Sequence, residues 1–267
     1  MTVTTDTRPD TARAASDLLL DHWRSGRKLA ALPPDLRPAT RAEGYAIQAG
    51  LERPGASAIF GWKIAATSRA GQAHIGVDGP MAGRLPADRV AAGGAELSLD
   101  GNHMRVAEVE FAFRMGRSLP PREAPYGTDE VMAAVAALHP AIEIPDSRFE
   151  DFATVGAPQL IADDACAHLF VLGAQAPDGW RSLDLARHRP TAQVGDRYRR
   201  EGLGANVLDD PRLALAWLAN ELSQLGVTLR AGQVVTTGTC MIPLEIRPGD
   251  EVRADYGAIG LVSVRFR

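Results

Sequence analysis

Two glutamates stand two positions apart in an apolar run of the sequence, RVAEVEFAF at 105–113. The run is rich in Val and Phe, which is typical of a β-strand, so Glu108 and Glu110 are expected to share one face. Two carboxylates held side by side repel each other unless a cation or a proton lies between them. A half-buried strand with a solvated face is the structural alternative, although Val106 and Ala112 would make that face poorly polar.

A hard divalent cation, Mg²⁺ or Mn²⁺, would remove this repulsion, because such ions take carboxylate oxygens and keep positions open for a substrate. The site then needs a third oxygen ligand. Glu143 is the best candidate, because it lies alone in an apolar run where Ile142 and Ile144 are expected to face a core. Asp146 is the alternative third ligand. The spacing alone leaves both the metal site and the structural interpretation open.

Lysine is rare in this chain: of its 29 lysine and arginine residues only Lys28 and Lys63 are lysines. Lys28 lies in the polar run RSGRKLA and is expected to be solvated. Lys63 lies in the apolar run AIFGWKIAAT, which is typical of a strand. A buried lysine beside a metal cation has a lowered pKa and can release its proton, whereas arginine cannot. Lys63 is therefore predicted to move protons, and a structural ion pair is the alternative.

The elements that position these residues indicate an α+β fold: an N-terminal helical segment followed by a twisted mixed β core. Residues 1–10 are expected to form a disordered tail, 11–56 a helical segment and 57–267 a β-rich catalytic core. The predicted helices are 11–27, 40–54 with a capping box at Thr40, 128–138 capped by Thr128, and 210–226. The predicted strands are 57–66, 95–100, 104–115, 140–145, 168–172, 233–238, 250–256 and 259–266.

Composition excludes several classes of protein. The chain has 267 residues, 45% of them hydrophobic, which is enough for a substantial core. Its net charge is −4 and its arginines are scattered, so nucleic-acid binding is not expected. No apolar run approaches membrane-spanning length, and the polar N-terminus does not resemble a signal peptide. The two cysteines fit no metal or redox spacing, so a reducing cytoplasmic setting is expected.

Eight blocks of the sequence, in this order, resemble the 2-keto-4-pentenoate hydratase branch of the fumarylacetoacetate hydrolase superfamily. They are GWKIAATS, IGVDGPMAGRL, RVAEVEFAF, PAIEIPDSR, IADDACA, DDPRLALAWLANEL, LRAGQVVTTGTC and IRPGDEVRADYGAIGLVSVRF. The resemblance implies an oligomeric α+β fold with a β-sandwich-like core and a divalent-metal site. It places the metal ligands on Glu108, Glu110 and Glu143 and the catalytic residues on Lys63 and Asp78.

The chain departs from the family pattern where "ADNAS" is replaced by ADDAC, which puts Asp164 and Cys166 at expected substrate-binding positions. Thr239 follows a predicted strand and is expected to line the pocket. Arg148 and Arg69 are candidates to bind a distal carboxylate of the substrate. For Asp78, a simple turn residue before Gly-Pro is the alternative. His74 could act as a base, with an exposed or packed helix histidine as its alternative.

The resemblance, together with these residues, implies a metal-dependent lyase of aromatic catabolism that adds water to an unsaturated 2-oxo acid, as a 2-hydroxypenta-2,4-dienoate hydratase does. The alternatives are a 2-oxo-3-enedioate decarboxylase, an acylpyruvate-type C–C hydrolase, and a silent scaffold subunit. A homo-oligomer is expected, partly because Leu18, Leu19 and Trp23 of the first helix need a surface to cover. The expected partners are the small-molecule substrate and further copies of the chain, with no nucleic acid and no membrane.

Overall fold

The computed structural model describes residues 9–267, which contain six α-helices and thirteen strands. The helices are α1 Pro9–Ser25, α2 Arg41–Gln48, α3 Arg69–His74, α4 Thr128–Ala133, α5 Ala157–Ala162 and α6 Pro211–Gln224. The strands are β1 Ile59–Ala65, β2 Met81–Pro86, β3 Val90–Ala92, β4 Ala95–Leu97, β5 Val106–Met115, β6 Val135–Ile144, β7 Leu169–Leu172, β8 Thr191–Val194, β9 Tyr198–Glu201, β10 Val234–Thr239, β11 Leu244–Glu245, β12 Glu251–Asp255 and β13 Leu261–Phe266.

The strands form two mixed sheets. The larger has eight strands in the order β2-β1-β10-β5-β6-β7-β3, with β11 paired to β5, and the smaller has five in the order β4-β13-β12-β8-β9. In the larger sheet β1 runs parallel to β10 and β3 to β7, whereas β5 is antiparallel to both β10 and β6. The expectation of mixed sheets and helices is therefore confirmed. Within the described residues, no helix has the length and hydropathy needed to cross a membrane.

Two predicted helix starts are confirmed by their caps. The Thr40 hydroxyl accepts the backbone N–H of Glu43, and the Glu43 carboxylate accepts the N–H of Thr40, which completes the capping box of α2. The Asp210 side chain accepts the N–H of Arg212 at the start of α6, where Pro211 takes the first helical position. Both caps depend on residues close in sequence, and both are present in the structure.

The predicted helix 128–138 is wrong in its second half. α4 ends at Ala133, its N-cap is Gly127 rather than Thr128, and the chain enters β6 at Val135. The alanines of this stretch favour a helix, but pairing with β5 outweighs that preference. The helix α1 begins at Pro9, two residues before the predicted start; the rest of the predicted tail lies outside the described residues.

The apolar face of α1 is covered by the chain itself. Leu19 is buried in a cluster with Leu32 and Phe149, and Leu18 packs partly buried against the same cluster. The Trp23 indole N–H donates to His168 Nδ1 at 2.9 Å. The expectation that this helix face needs a second subunit is therefore not supported, because its contacts are intramolecular.

A buried tyrosine joins the two sheets behind the candidate site. The Tyr256 hydroxyl, just after β12 of the smaller sheet, donates to the backbone oxygen of Glu110 at 2.6 Å and lies 3.2 Å from that of Ala141. Its ring packs edge-on against Phe111, with 5.4 Å between centroids. These contacts fix β5 and β6 relative to each other at the level where both strands carry glutamates.

Candidate active site

Three glutamates of the central strands converge. In the antiparallel pairing of β5 and β6, Glu108 stands directly opposite Glu143, and Glu110 lies two positions further along β5 on the same face, opposite Ala141. Each residue has a carboxylate oxygen that lies within 4.8 Å of those of the other two. Glu110 and Glu143 are fully buried, and Glu108 is partly exposed to an adjoining cavity.

The hydrogen bonds of this cluster leave several oxygens free. Glu110 Oε2 accepts from the Thr236 hydroxyl and from the Gly238 N–H at 2.8 Å, both within β10. Within residues 9–267, Glu110 Oε1 and both oxygens of Glu143 are buried without a hydrogen-bond partner. Buried acceptors of this kind are unfavourable alone, and a hard divalent cation is the ligand that they fit. The donor set therefore matches Mg²⁺ or Mn²⁺.

Burial and mutual repulsion make the cluster strongly proton-binding when it holds no cation. Burial, together with the charge of Glu143, raises the pKa of Glu108 to about 7 and raises that of Glu110 well above its usual range. Burial also raises the pKa of Glu143, although the nearby Lys63 opposes this. A bound divalent cation would compete with these protons for the same oxygens.

Lys63 is the cation already present at the cluster. It lies on β1, is 3% exposed, and its Nζ lies 3.1 Å from Glu143 Oε1, an ion pair that lacks hydrogen-bond geometry. Nζ also donates to the backbone oxygen of Ala165 at 2.8 Å. Burial lowers the pKa of Lys63, but the charges of Glu143 and Glu108 outweigh it and raise that pKa. The lowered pKa expected from the sequence applies to a lysine beside a bound cation and stays a prediction.

A strained turn presents the Ala165 carbonyl to Lys63. Asp164, Ala165 and Cys166 have φ values of 54°, 50° and 62°, in the left-handed region that non-glycine residues rarely adopt. The Asp164 carboxylate accepts the backbone N–H of Arg84 on β2 at 2.6 Å, which holds the turn against the sheet. Backbone strain of this kind persists only where the surrounding structure imposes it, and it is frequent at functional sites.

A cavity of about 610 Å³ opens beside the cluster. Lys63 and Glu108 lie on its wall, together with Cys166 and Thr239, which were predicted from sequence to contact the substrate. His74 of α3 also lies on the wall; it is exposed and packs edge-on against Phe152 at 6.3 Å between ring centroids. Burial raises the pKa of the Cys166 thiol to about 12, so the thiol is protonated and unreactive at neutral pH.

Arg148 does not lie at the cavity. Its side chain is 2% exposed and forms an ion pair with the buried Asp163. It also donates to the backbone oxygens of Asp146 at 2.9 Å and Ala167 at 2.7 Å. The ion pair and the hydrogen bonds of Arg148 stabilise the loop that follows β6. The prediction that Arg148 binds substrate gains no support from this position, because its donors are used inside the protein. Arg69 is exposed and lies outside the wall.

Asp164 and Asp78 are also placed away from the cavity. The carboxylate of Asp164 points behind the strained turn, and its Oδ2 is buried without a hydrogen-bond partner among the described residues. Asp78 lies in a turn with its side chain 87% exposed, 3.5 Å from Arg41. The structure therefore does not bring Asp78 to the carboxylate cluster, and Asp164 does not reach the substrate space.

The alternative third ligand, Asp146, has a structural role. Its carboxylate pairs with Lys28 and accepts the backbone N–H of His103 at 2.8 Å. The Lys28 side chain is 6% exposed, so the expectation that Lys28 is solvated is wrong. The polar composition around Lys28 gave no indication of a partner 118 positions away.

Sequence reasoning missed the residues that orient the glutamates and the lysine through hydrogen bonds. These are Thr236, Gly238 and the Ala165 carbonyl. A signal for the first two existed in the run VVTTGTC, where polar residues and a glycine interrupt an apolar strand. Gly238 has φ 96°, and a Cβ there would overlap the Thr67 side chain, so the position requires glycine.

Comparison with known proteins identifies the same family that the sequence blocks resemble, over most of the chain. The family model described as Fumarylacetoacetate (FAA) hydrolase C-terminal matches residues 69–267. The chain is 33% identical over 257 residues to 2-keto-4-pentenoate hydratase 1 of Dechloromonas aromatica (strain RCB), covering 95% of this chain and 96% of the relative.

Two further relatives carry a different activity in their names. A 4-oxalocrotonate decarboxylase of a Pseudomonas species is 33% identical over 231 residues, 85% of this chain and 86% of the relative. A solved structure of 4-oxalocrotonate decarboxylase from Pseudomonas putida G7, complexed with magnesium and adipate, matches with a TM-score of 0.87 and 25% identity, covering 97% of this chain and 98% of its own.

Proposed function

The chain belongs to the fumarylacetoacetate hydrolase family, and from that premise we propose that it is a divalent-metal-dependent lyase. The reaction is the addition of water to an unsaturated 2-oxo acid, as in 2-hydroxypenta-2,4-dienoate hydratases. The observation that carries the proposal is the cluster of Glu108, Glu110 and Glu143 beside the buried Lys63, at the wall of a cavity. The similarity to 2-keto-4-pentenoate hydratases along nearly the whole chain supports it.

Glu108, Glu110 and Glu143 would hold the cation, Mg²⁺ or Mn²⁺, through oxygens that include the unpartnered ones. When bound, the cation supplies Lewis acidity toward the carboxylate and 2-oxo group of the substrate. Thr236 and Gly238 keep the Glu110 carboxylate oriented through their hydrogen bonds to Oε2. The related decarboxylase was solved in complex with magnesium, which supports a divalent cation as the cofactor.

Lys63 is the residue proposed to move protons. Hydration places the hydroxyl of water on C4 of the unsaturated 2-oxo acid and a proton on C3, so a donor must reach the carbon chain. Lys63 lies on the cavity wall, and the Ala165 carbonyl and Glu143 hold its Nζ there. Cys166 and Thr239 share the wall and are proposed to contact the substrate.

Decarboxylation of a 2-oxo-3-enedioate is the second candidate, because the related 4-oxalocrotonate decarboxylases match this chain nearly as well as the hydratases do. A C–C hydrolase needs a base that activates water, and His74, the residue considered for that role, is exposed. A silent scaffold would have no use for two fully buried acids, Glu110 and Glu143, whose oxygens lack hydrogen-bond partners among the described residues.

We propose a homo-oligomeric cytoplasmic enzyme of aromatic catabolism, without nucleic-acid or membrane partners. Within residues 9–267, the large apolar side chains that remain exposed are Leu213, Ile242 and Leu261, which gives candidate positions for contacts between copies. Sedimentation at micromolar concentration is expected to show a species larger than the 28.5 kDa chain. A single 28.5 kDa species would contradict the oligomer.

A substrate panel tests the function. The protein is treated with EDTA, Mg²⁺ is restored, and the ultraviolet absorbance of conjugated 2-hydroxydienoates and of 2-oxo-3-enedioates is followed. The proposal expects loss of dienoate absorbance, with 4-hydroxy-2-oxo acid as product, only when Mg²⁺ is present. Carbon dioxide release from the enedioate would assign the decarboxylase instead. No turnover of any member with Mg²⁺ present would contradict a metal-dependent lyase.

A further inference from the structure

One hydroxyl group on the cavity wall has no partner inside the protein. Thr67 is 5% exposed and lies on this wall just after β1, the strand that carries Lys63. Its backbone oxygen accepts the N–H of Leu208 at 3.0 Å, whereas its hydroxyl forms no hydrogen bond within residues 9–267. A buried hydroxyl without a partner is unfavourable, so we expect a polar group that occupies the cavity to supply one.

The other hydroxyl and amide side chains on this wall are already bonded to the backbone. Ser68 accepts a backbone N–H at 3.0 Å, and Thr239 and Asn206 each donate to a backbone oxygen at 2.8 Å. Among the described residues, the hydroxyl of this wall that is free both to donate and to accept therefore belongs to Thr67.

The backbone around Thr67 is arranged to place its side chain in this position. Ala66, directly before it, has φ 57°, in the left-handed region that non-glycine residues rarely adopt. A Cβ at Gly238 would lie 2.2 Å from the Thr67 hydroxyl oxygen, so glycine at 238 leaves the space that this side chain fills. The Gly238 N–H donates to Glu110 Oε2, so Thr67 packs against a residue that orients the carboxylate cluster. Strained backbone of this kind is frequent at functional sites.

We infer that the Thr67 hydroxyl binds the water molecule that adds to the substrate and becomes its 4-hydroxyl group. The inference rests on the proposed function, because it takes the carboxylate and the 2-oxo group to lie at the glutamate cluster. Beyond these groups, an unsaturated 2-oxo acid has no polar atom at C3 or C4 for a hydroxyl to contact. A water molecule that approaches C4 needs polar partners, and Thr67 can donate a hydrogen bond to it and accept one from it.

The step consumes one water and no other reactant. In the 2-oxo-3-ene form of the substrate, the water oxygen forms a bond to C4, and the electron pair of the C3–C4 double bond moves toward the 2-oxo group. The water gives up one proton to become the hydroxyl, and C3 takes one proton, so the protons balance. Thr67 keeps its own proton throughout. Its contribution is to hold the water oxygen against C4, which replaces a chance encounter by a fixed geometry.

Thr67→Val and Thr67→Ser form a matched pair of variants. Valine keeps nearly the shape of threonine, and hence the packing against Gly238, but has no hydroxyl, whereas serine keeps the hydroxyl. The rate is that of 4-hydroxy-2-oxo acid formation in Mg²⁺, followed by NMR, from the conjugated 2-hydroxydienoate that the wild type hydrates fastest. We expect kcat to fall about ten- to a hundred-fold in Thr67→Val and to stay within about three-fold of wild type in Thr67→Ser.

Two binding measurements show whether the loss of rate comes from the bound water. Mn²⁺, and then 2-oxopentanoate, a saturated 2-oxo acid that cannot add water, are titrated calorimetrically into each variant. The Kd of both is expected to stay within about two-fold of wild type in Thr67→Val, because the hydroxyl contacts neither the metal ligands nor the 2-oxo acid end.

The outcomes separate this inference from the proposed function. A Thr67→Val variant with the kcat of wild type would overturn the inference. A rise in the Kd of Mn²⁺ or of 2-oxopentanoate as large as the fall in kcat would also overturn it, because the hydroxyl would then support the metal site or bind the substrate. A wild type that hydrates no conjugated 2-hydroxydienoate in Mg²⁺ would overturn the proposed function, and the inference with it, before any variant is compared. A loss of rate in Thr67→Val that serine restores, with both affinities unchanged, supports both.

Discussion

The ammonium group of Lys63 on β1 lies 3.1 Å from the carboxylate of Glu143 on β6, and both side chains are buried. The two strands are separated by β10 and β5 in the larger sheet. The same ammonium donates to the Ala165 carbonyl of the left-handed turn. In the absence of metal the site thus contains one ammonium group beside three carboxyl groups whose pKa values are raised, so the cluster retains protons. Binding of a divalent cation would displace these protons and balance the charge of the three carboxylates.

Replacement of Lys63 separates charge from proton transfer. Lys63→Arg keeps the positive charge but cannot release a proton, so we expect it to lose activity nearly as severely as Lys63→Met. A positioned acid–base group contributes about a hundred- to ten-thousandfold in rate, which sets the size of both losses. The measurement is kcat with Mg²⁺ bound, and metal affinity is the control that must survive. An arginine variant close to wild-type rates would show that Lys63 acts only through its charge.

Glu110→Gln is expected to abolish activity and to stabilise the metal-free protein. The introduced amide keeps an oxygen to accept from Gly238 or Thr236, but the substitution removes one of three mutually repelling acids. In EDTA, the free energy of unfolding of the variant should exceed that of the wild type by on the order of 1 kcal/mol. The difference should disappear when Mg²⁺ is added, because Mg²⁺ binding then stabilises the folded wild type. Urea unfolding with and without metal measures both. A lower stability of the variant in EDTA would argue against repulsion within the cluster.

Arg148 is expected to matter for stability and not for substrate affinity. Arg148→Met leaves the buried Asp163 without its partner, and breaking such a pair costs about 3–5 kcal/mol. Adding Asp163→Asn should restore part of this loss, since the uncompensated charge is then gone. Denaturant unfolding gives the stability, and KM of the folded enzyme gives the second readout. A KM increase of ten-fold or more with little loss of stability would favour the substrate-binding role.

The buried carboxyl group of Asp164 is expected to make the stability of the folded protein depend on pH. Burial raises the pKa of its carboxyl to about 7, from a usual value near 4. Between these values the unfolded chain releases the proton and the folded protein keeps it, so the folded state loses stability as pH rises, until about pH 7. Asp164→Asn removes this penalty while keeping an oxygen for the Arg84 N–H. Its stability advantage should grow by on the order of 2–3 kcal/mol between pH 5 and pH 8. A difference that does not change with pH would contradict the raised pKa.

The parts of the fold that could be predicted are those fixed by local sequence. The caps of α2 and α6 depend on residues three positions apart or fewer, and the shared face of Glu108 and Glu110 depends only on strand alternation. The convergence of Glu143 with that pair could be proposed because a single acid stands in an otherwise apolar strand. These signals require no knowledge of distant contacts.

The parts that could not be predicted depend on partners far away in the chain. Arg148 and Lys28 look like free cations in the sequence, and only the fold shows that Asp163 and Asp146 bury them. The left-handed turn at 164–166 contains no glycine, so the sequence gives no signal for it. The surrounding structure imposes this strained backbone conformation. The alanines before His139 favour a helix locally and become a strand through pairing with β5.

The position of the metal is the most direct test of the central claim. Crystals grown or soaked with Mn²⁺ give an anomalous signal that locates the ion without reference to activity. We predict one ion per chain, about 2.1 Å from carboxylate oxygens of Glu108, Glu110 and Glu143. A Mn²⁺ peak elsewhere, or none at concentrations that support turnover, would contradict the assignment of these three glutamates as the metal site.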